Sequence, residues 1–418
     1  MKIVTLTPKQ FDDFAKKHKY RNYFQTSKYA NTISTQGFKV HYLGILDNYN
    51  KLIGATLILY KEIFMNKKIA YAPRGILFDY TNSQNVNTLA KKLINTLGKQ
   101  NFILLRMDPY IPATVRNKQG KIININNEVN NIMLNLKNAG FIYKGQNKFF
   151  ETEKNRFEGL VLLNNDIREI YKSFSKRIRH KINRATKAGI TIHKDTEKNI
   201  EELYEFIKTK TNKPKSYFMN LINNFKKDCN LYYAILNSDS FVISAKERYE
   251  KELEKNNNLA GKIQNLANRK IPKKLLNYKM ESDKLINTYK NELIKATELL
   301  KKYPKGVIIG GALTIDFDNA SYLIIEGFHK NYKNLNSNYL LRWYIINESK
   351  NKDYKYFNMN ALTGEFQKKT PYTNLNKMKI DYNAIPTEYI GEFDLILDNF
   401  NYKLYNKLNK DKNNKISE

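Results

Sequence analysis

A chain whose only cysteine is Cys229 cannot close a disulfide within itself, so a disulfide framework is excluded and a reducing compartment fits. Lys226, Lys227 and Asp228 precede that cysteine, which points to a surface or half-buried thiol and not to a nucleophile. The histidines (His18, His41, His180, His193 and His329) are scattered, with no H-E-x-x-H and no cysteine partners, so no metal site is expected. No stretch approaches the roughly 18 apolar residues of a membrane span. Met1 to Thr7 also lack the apolar run of a secretory signal. The expectation is a cytoplasmic protein, soluble or held peripherally at the inner face of a membrane. Nucleotide signatures are missing as well: there is no G-x-x-x-x-G-K loop, no dinucleotide fingerprint and no G-x-S-x-G elbow.

Acidic residues are scarce. Forty Asp and Glu face 72 Lys and Arg, a formal net charge of +32. Such an excess speaks of partners and solubility, and the natural partners are polyanions: nucleic acid, an anionic membrane surface or a phosphorylated substrate. The other reading is a compositional habit that favours Lys and Asn. Apolar residues are not scarce, and 30 Tyr and 22 Phe supply material for real cores. At 418 residues the chain exceeds one ordinary core, which suggests two domains plus an accessory element.

Periodicity gives an α/β organisation. Val40 to Tyr60 reads as a hairpin turning at Asp47 to Asn50, and Lys68–Ala72 and Phe102–Met107 read as buried strands. Val86, Leu89, Ala90, Leu93, Ile94 and Leu97 recur at helical spacing between them. A second stretch of similar content follows: strands near 160–163, 190–193, 231–236, 306–315, 321–327 and 356–359, with helices over 166–188, 200–211, 217–225 and 339–347. A last helix is expected from Phe393 into a polar tail carrying Lys403, Lys407, Lys410, Lys412 and Lys415. Two successive halves of like content suggest a duplicated unit.

Ala245 to Tyr303 fits neither half. Tyr249, Leu253, Asn256, Ala260, Ile263 and Ala267 step by four and three, and Ile286, Tyr289, Leu293, Ala296 and Leu300 do the same. Asn268 to Lys274, with Pro272, supplies the reversal. The reading is an antiparallel helical hairpin of about 24 residues per helix, projecting roughly 36 Å. Its basic excess either holds a polyanion or merely solvates a coiled-coil exterior.

Chemistry is left to positioning. In Leu104 to Tyr110 an apolar strand runs into Asp108 and Pro109, at the sheet edge where α/β proteins hold ligands. Asp108 there either accepts a proton from an attacking amine or caps the following turn. Asn212 to Tyr217 places Lys213, Lys215 and Tyr217 around Pro214, either as a phosphate clamp or as a solvated loop. Lys172, Lys176, Arg177, Arg179, Lys181, Arg184 and Lys187 cover one helix, leaving Phe174, Ile178 and Ile182 for its apolar face. That surface suits phosphates, or water alone.

An ordered set of motifs carries a resemblance over nearly the whole chain. Tyr71-Ala72-Pro73-Arg74-Gly75 with Asp79, Leu105 to Pro109, Ser175 to Arg179 running on to Lys187-Ala188-Gly189-Ile190, Lys213-Pro214 with Tyr217-Phe218, and Glu388 to Asp394 follow one another. The chain in this respect resembles the Fem family of peptidoglycan bridge-forming transferases, whose members often carry a helical-hairpin insertion. The resemblance implies an α/β fold of two N-acetyltransferase-like (GNAT) domains with an inserted antiparallel coiled-coil arm. It implies domains over 1–150 and over 151–240 with 304–395, the arm over 241–303, and a C-terminal helix and basic tail over 396–418. It further implies an aminoacyl-tRNA donor, a lipid-linked peptidoglycan precursor as acceptor and no cofactor. Asp108 and Lys377 take catalytic positions by this match; Gly37, Phe38, Arg74, Lys213 and Tyr217 take substrate positions. Lys176, Arg177, Arg179, Lys181 and Arg184 are the tRNA-facing candidates. Departures stand at Asn376, where the family has an aromatic, at Ile33, where Lys28 or Lys39 would replace a lysine, and at Ile325, where some members have tyrosine. Two other classes compete: an acyl-CoA-dependent N-acyltransferase, whose basic-x-x-G-x-G/A turn is missing here, and a non-enzymatic tRNA-binding protein.

Overall fold

In the computed structural model the described residues are 1–266 and 270–408. Strands among them are β1 (Lys2–Thr5), β2 (Lys39–Leu46), β3 (Leu52–Glu62), β4 (Lys68–Ala72), β5 (Phe102–Met107), β6 (Pro112–Arg116), β7 (Ile122–Ile125) and β8 (Ile142–Tyr143). There follow β9 (Phe157–Leu162), β10 (Ile190–Asp195), β11 (Cys229–Leu236), β12 (Val307–Phe317), β13 (Ala320–Phe328), β14 (Tyr356–Leu362), β15 (Ile385–Tyr389) and β16 (Phe393–Ile396). They form two mixed sheets, ordered β1-β2-β3-β4-β5-β16-β8 and β10-β11-β12-β13-β14-β9-β15-β6-β7. Helices cover the faces, so the α/β class expected from the sequence is what the chain adopts.

Local chemistry explains the elements that were legible. The hairpin of β2 and β3 closes because the Asp47 carboxylate accepts the amides of Tyr49 and Lys51 at 2.8 and 2.9 Å. Helix Ser83–Gly98 starts where the Asn82 side chain accepts the Asn85 amide at 2.9 Å. It buries Val86, Leu89, Ala90, Leu93 and Leu97, each large side chain contributing about 2 kcal/mol of transfer free energy. Ile94, at the margin of that stripe, is partly exposed.

The sheets cut across the chain. β6 and β7 leave the first half and extend the second sheet, with Thr387 opposite Val115. β16 returns from the far end and inserts between β5 and β8, with Phe393 opposite Met107 and Asp394 opposite Arg106. The helix expected from Phe393 is therefore displaced: 393–396 is a strand, and the helix runs Asn399–Leu408 after Asp398 accepts the Asn401 amide. The cause is long-range, for Arg106 holds Asp394 with two hydrogen bonds of 2.8 and 3.0 Å in the interior. Lys403 and Lys407 lie on that helix, whereas Lys410, Lys412 and Lys415 lie outside the described residues.

Two further expectations are corrected. The basic helix is broken into Ile167–Ser173 and Lys176–Lys187. Phe174 turns extended to pack on Trp343 and Tyr382, and Ser175 then caps the second helix by accepting the Ile178 amide. Cys229 is fully buried, since it opens β11 opposite Ile315, and burial pushes its thiol up to about 12.

The arm is an antiparallel pair, Ser238–Gln264 and Lys273–Lys302, about 40 and 45 Å long. Its root is apolar: Phe241, Ala245, Ala296 and Leu299 share a core with Ala185 and Ala188 of the basic helix. Further out the seam is polar. Asn256 donates to Asp283 at 2.8 Å, Ser282 donates to Glu252 at 2.7 Å, and Arg248 pairs with Glu292 at 3.1 Å. These pairs draw Glu252 inward and leave Leu253 and Ala260, expected in the seam, at the surface. Ala267 and the start of the reversal, Asn268 and Arg269, lie outside the described residues.

Arg106 is nearly enclosed by Asp394, Glu392 and Glu153. Replacing it by Leu leaves three carboxylates facing one another, and the expected loss is about 3–5 kcal/mol, read from the urea midpoint. Adding Asp394→Leu should recover part of that loss; a single variant as stable as the parent would show that β16 is held otherwise.

Candidate active site between the two sheets

Parallel pairing of β4 with β5 brings the ends of both strands to one edge of the first sheet, with Ala72 beside Met107. Asp108 and Arg74 follow those ends. Arg74 adopts φ 53°, a left-handed conformation rare for a residue with a side chain, and this turns its amide onto Asp108. The Asp108 carboxylate accepts that amide at 2.7 Å and the Tyr71 hydroxyl at 3.1 Å, while the Arg74 guanidinium stands 3.5 Å away. The amide it receives belongs to the neighbouring strand end and not to its own turn. Burial pushes the carboxyl up to about 7, against the opposing pull of the Arg74 charge and amide.

The Arg74 guanidinium reaches from the first sheet to the second. It donates to Glu158 of β9 at 2.6 Å and to the Asn155 carbonyl at 2.8 Å. It also lies 5.2 and 5.1 Å from the rings of Tyr110 and Tyr389, which stack on each other. The other oxygen of Glu158 accepts from Asn358, Tyr110 and Tyr389 at 2.7, 3.0 and 3.2 Å. Arg74, Asp108 and Glu158 are all buried. Sequence reading singled out the first two and missed Glu158, whose partners are up to 231 positions away.

A cavity of about 260 Å³ opens beside this network, lined from both halves by Tyr23 and Phe24, Arg74, Lys154, Lys213, Tyr217 and Tyr322. Asp108 does not line it; Arg74 stands between. Lys213 precedes Pro214, which opens helix Lys215–Phe225, and its ammonium lies 5.1 Å from the Tyr217 ring. The start of that helix adds its own positive field to the lysine, a setting for anionic groups. Lys215 is turned away to Glu201 at 2.8 Å. Lys154, missed in the sequence, comes from the connection into β9 and sits 4.0 Å over the Phe24 ring.

Other sequence candidates stand elsewhere. Gly37 is exposed in a left-handed turn and Phe38 is buried in the core beneath Lys61; neither lines the cavity. Lys28 pairs with Asp228 at 2.5 Å and Lys39 with Glu62 at 2.7 Å, and neither lines it either. On the basic helix Arg177 pairs with Asp381 and Lys181 donates to Tyr339 at 3.0 Å. Arg179 is half-buried there, while Lys176 and Arg184 are exposed.

Lys377 is exposed on helix Thr373–Asp381, whereas Lys379 is buried and donates to the Ala361 carbonyl at 2.5 Å. Two residues apart on a helix point to nearly opposite sides. Asn376, three before Lys379, shares the inner face and bonds to the backbone of Thr363. The phase of this short helix, read from Asn376, places Lys379 and not Lys377 on its inner face. Burial pushes Lys379 down to about 7, and Glu326 and Arg342 sit with it in a second cavity of about 210 Å³. The two cavities share Asn155, Asn360 and the strand segment Leu323 to Ile325, so they lie side by side along β13.

Comparison with known proteins follows from this geometry. Aminoacyltransferase FemA of Staphylococcus epidermidis is 23% identical over 423 residues, covering 98% of this chain and 99% of its own. Aminoacyltransferase FemB of the same organism is 26% identical over 425 residues, with 99% of each chain covered. The crystal structure of FemX has the same fold, at a TM-score of 0.72 and 19% identity over 97% of this chain and 99% of its own. The model of the FemAB family matches residues 6–410, and the chain belongs to that family.

Proposed function

We propose that this chain is an aminoacyltransferase that moves an amino acid from an aminoacyl-tRNA to the side-chain amine of the third stem-peptide residue of a lipid-linked peptidoglycan precursor. The observation that carries the reading is the pair of adjoining cavities, each with a buried group whose pKa lies near neutrality: Asp108 behind the first and Lys379 in the second. The relatives' names, aminoacyltransferases FemA and FemB, support the same class of reaction.

An aminoacyl ester is already activated, so the reaction needs orientation and proton management and no cofactor. The acceptor amine attacks the ester carbonyl, the C–O bond to the tRNA ribose breaks, an amide forms, and the proton lost by the amine ends on the ribose oxygen. Lys213, Lys154 and Arg74 hold the precursor's anionic groups in the first cavity, with Tyr217 against its peptide. Glu326, Arg342 and Lys379 receive the aminoacyl end in the second. Asp108 takes up the amine proton by way of an intervening water, since Arg74 stands between it and the cavity. In place of Lys377, Lys379 is the lysine at the ester end. The exposed Lys176 and Arg184 meet tRNA phosphates, joined by Arg177, Arg179 and Lys181 of the same helix.

Asp108 accepts a proton only as carboxylate. That condition is met above its value near 7, so kcat/KM should rise with pH through about 7 and be lost below it. Asp108→Asn should lower turnover about 100-fold with tRNA binding intact and flatten that rise. Unchanged turnover would remove Asp108 from the chemistry.

Lys379→Met should lower kcat by about tenfold or more, and Lys377→Met should leave it within about twofold. The reverse order would restore Lys377. Transfer itself is tested by mass spectrometry of lysine- and diaminopimelate-type precursors after incubation with mixed aminoacyl-tRNAs; no mass gain on any of them overturns the reading.

A further inference from the structure

The outer edge of the second sheet carries an apolar strand that the transferase reading does not use. Every residue of β7 is exposed, with Ile122, Ile123 and Ile125 at 46%, 61% and 55%. Proteins normally blunt an edge strand with charge or cover it, since unpaired strand groups beside aliphatic side chains invite association. This edge is also well held. The Asn117 side chain accepts the amides of Gln119 and Lys121 at 3.0 and 2.9 Å, and Arg116 donates to the Gly120 carbonyl at 3.0 Å and to Glu388 at 3.2 Å.

Two other segments meet the hairpin tip. Gly120 abuts Phe366 so closely that a Cβ there would lie 2.5 Å from its side chain. The loop around Phe366 carries exposed Lys368, Lys369 and Tyr372. The Tyr372 ring packs on Phe149 and Phe150 at 5.9 and 5.0 Å, next to exposed Lys148. Lys118 and Lys121 complete the rim. The nearby acids are engaged: Glu365 pairs with Lys148 at 3.5 Å and Glu151 accepts the Phe149 amide at 2.8 Å. The result is an edge with three exposed isoleucines, beside a half-exposed tyrosine and a rim of lysines.

We propose that this face docks the protein on an anionic bilayer. Phosphates of a nucleic acid would meet the lysines but leave the isoleucines in water. A second copy would bring the same positive rim against itself. An anionic bilayer satisfies both: aliphatic side chains enter the acyl boundary, tyrosine sits at the headgroup level and lysines meet lipid phosphates. The proposal rests on the reading of the acceptor as lipid-linked, and it adds the orientation. The segment of Phe149 and Phe150 runs on to Lys154, which lines the first cavity, so docking on this face brings the cavity assigned to the precursor toward the surface that carries it.

The test is flotation of the full chain with vesicles of phosphatidylglycerol and phosphatidylcholine, against pure phosphatidylcholine. Salt-sensitive binding to the anionic vesicles is expected. Ile122→Ser with Ile123→Ser and Ile125→Ser, and separately Lys118→Glu with Lys121→Glu, should each weaken it by about tenfold or more. Met65→Ser with Phe400→Ser, at the other highly exposed apolar pair, should change it by less than about twofold. Both hairpin variants should keep the parent's thermal transition and its turnover on a water-soluble precursor analogue. The docking face is overturned if the triple variant floats like the parent, if the Met65 and Phe400 variant loses binding instead, or if sedimentation shows a parent dimer that the triple variant dissolves. Absence of transfer to any acceptor by a parent that still floats would sink the transferase reading and leave the docking face standing.

Discussion

The buried guanidinium of Arg74 sets the terms for everything around it. A charge taken out of water at this depth is tolerated only when acceptors surround it, and here they come from both halves of the chain: the Asp108 carboxylate, the Asn155 carbonyl and Glu158. Glu158 in turn is saturated by Asn358, Tyr110 and Tyr389. Such a cluster contributes less to stability than apolar packing of the same volume would. What it fixes is register, because no member can shift without stranding another. The cavity wall, the carboxyl behind it and the relative placement of the sheets are thereby one object.

That object explains what could be read beforehand and what could not. β4 and β5 are short apolar runs bounded by polar turns, so Lys68–Ala72 and Phe102–Met107 were visible from period alone. Asp108 was visible because it follows such a run, and Arg74 through the motif Tyr71 to Gly75 that carries the family resemblance. Glu158 was not: it lies on an ordinary strand, and its significance comes entirely from partners distant in sequence. β16 failed for the same reason. Phe393 to Ile396 carries no local preference strong enough to oppose a helical reading, and its pairing with β5 and β8, with Arg106 on Asp394, makes it a strand. Lys377 and Lys379 differ by a helical phase that one polar neighbour, Asn376, decides. The break at Phe174 was hidden by the charges on either side of it, since lysine and arginine continue a helix readily.

The arm shows the opposite economy. Its apolar root belongs to the same core as the basic helix, so the two move as one body. Beyond the root the seam is held by Asn256 with Asp283, Ser282 with Glu252 and Arg248 with Glu292, pairs that specify alignment at some cost in cohesion. A seam of leucines would bind more strongly and slide more easily. Directed polar pairs make a strut of defined length whose outer surface is free for charge.

The return of β16 between β5 and β8 has a consequence for how the protein is made. On the ribosome the first 143 residues emerge long before the strand that must separate β5 from β8, so the nascent first sheet waits with an open place beside its edge strand β8 while the second half is translated. Arg106 stands at that open place without its principal carboxylate during the wait. The lysine-rich surface then has a second use, as a source of mutual repulsion that keeps incomplete chains on one messenger apart.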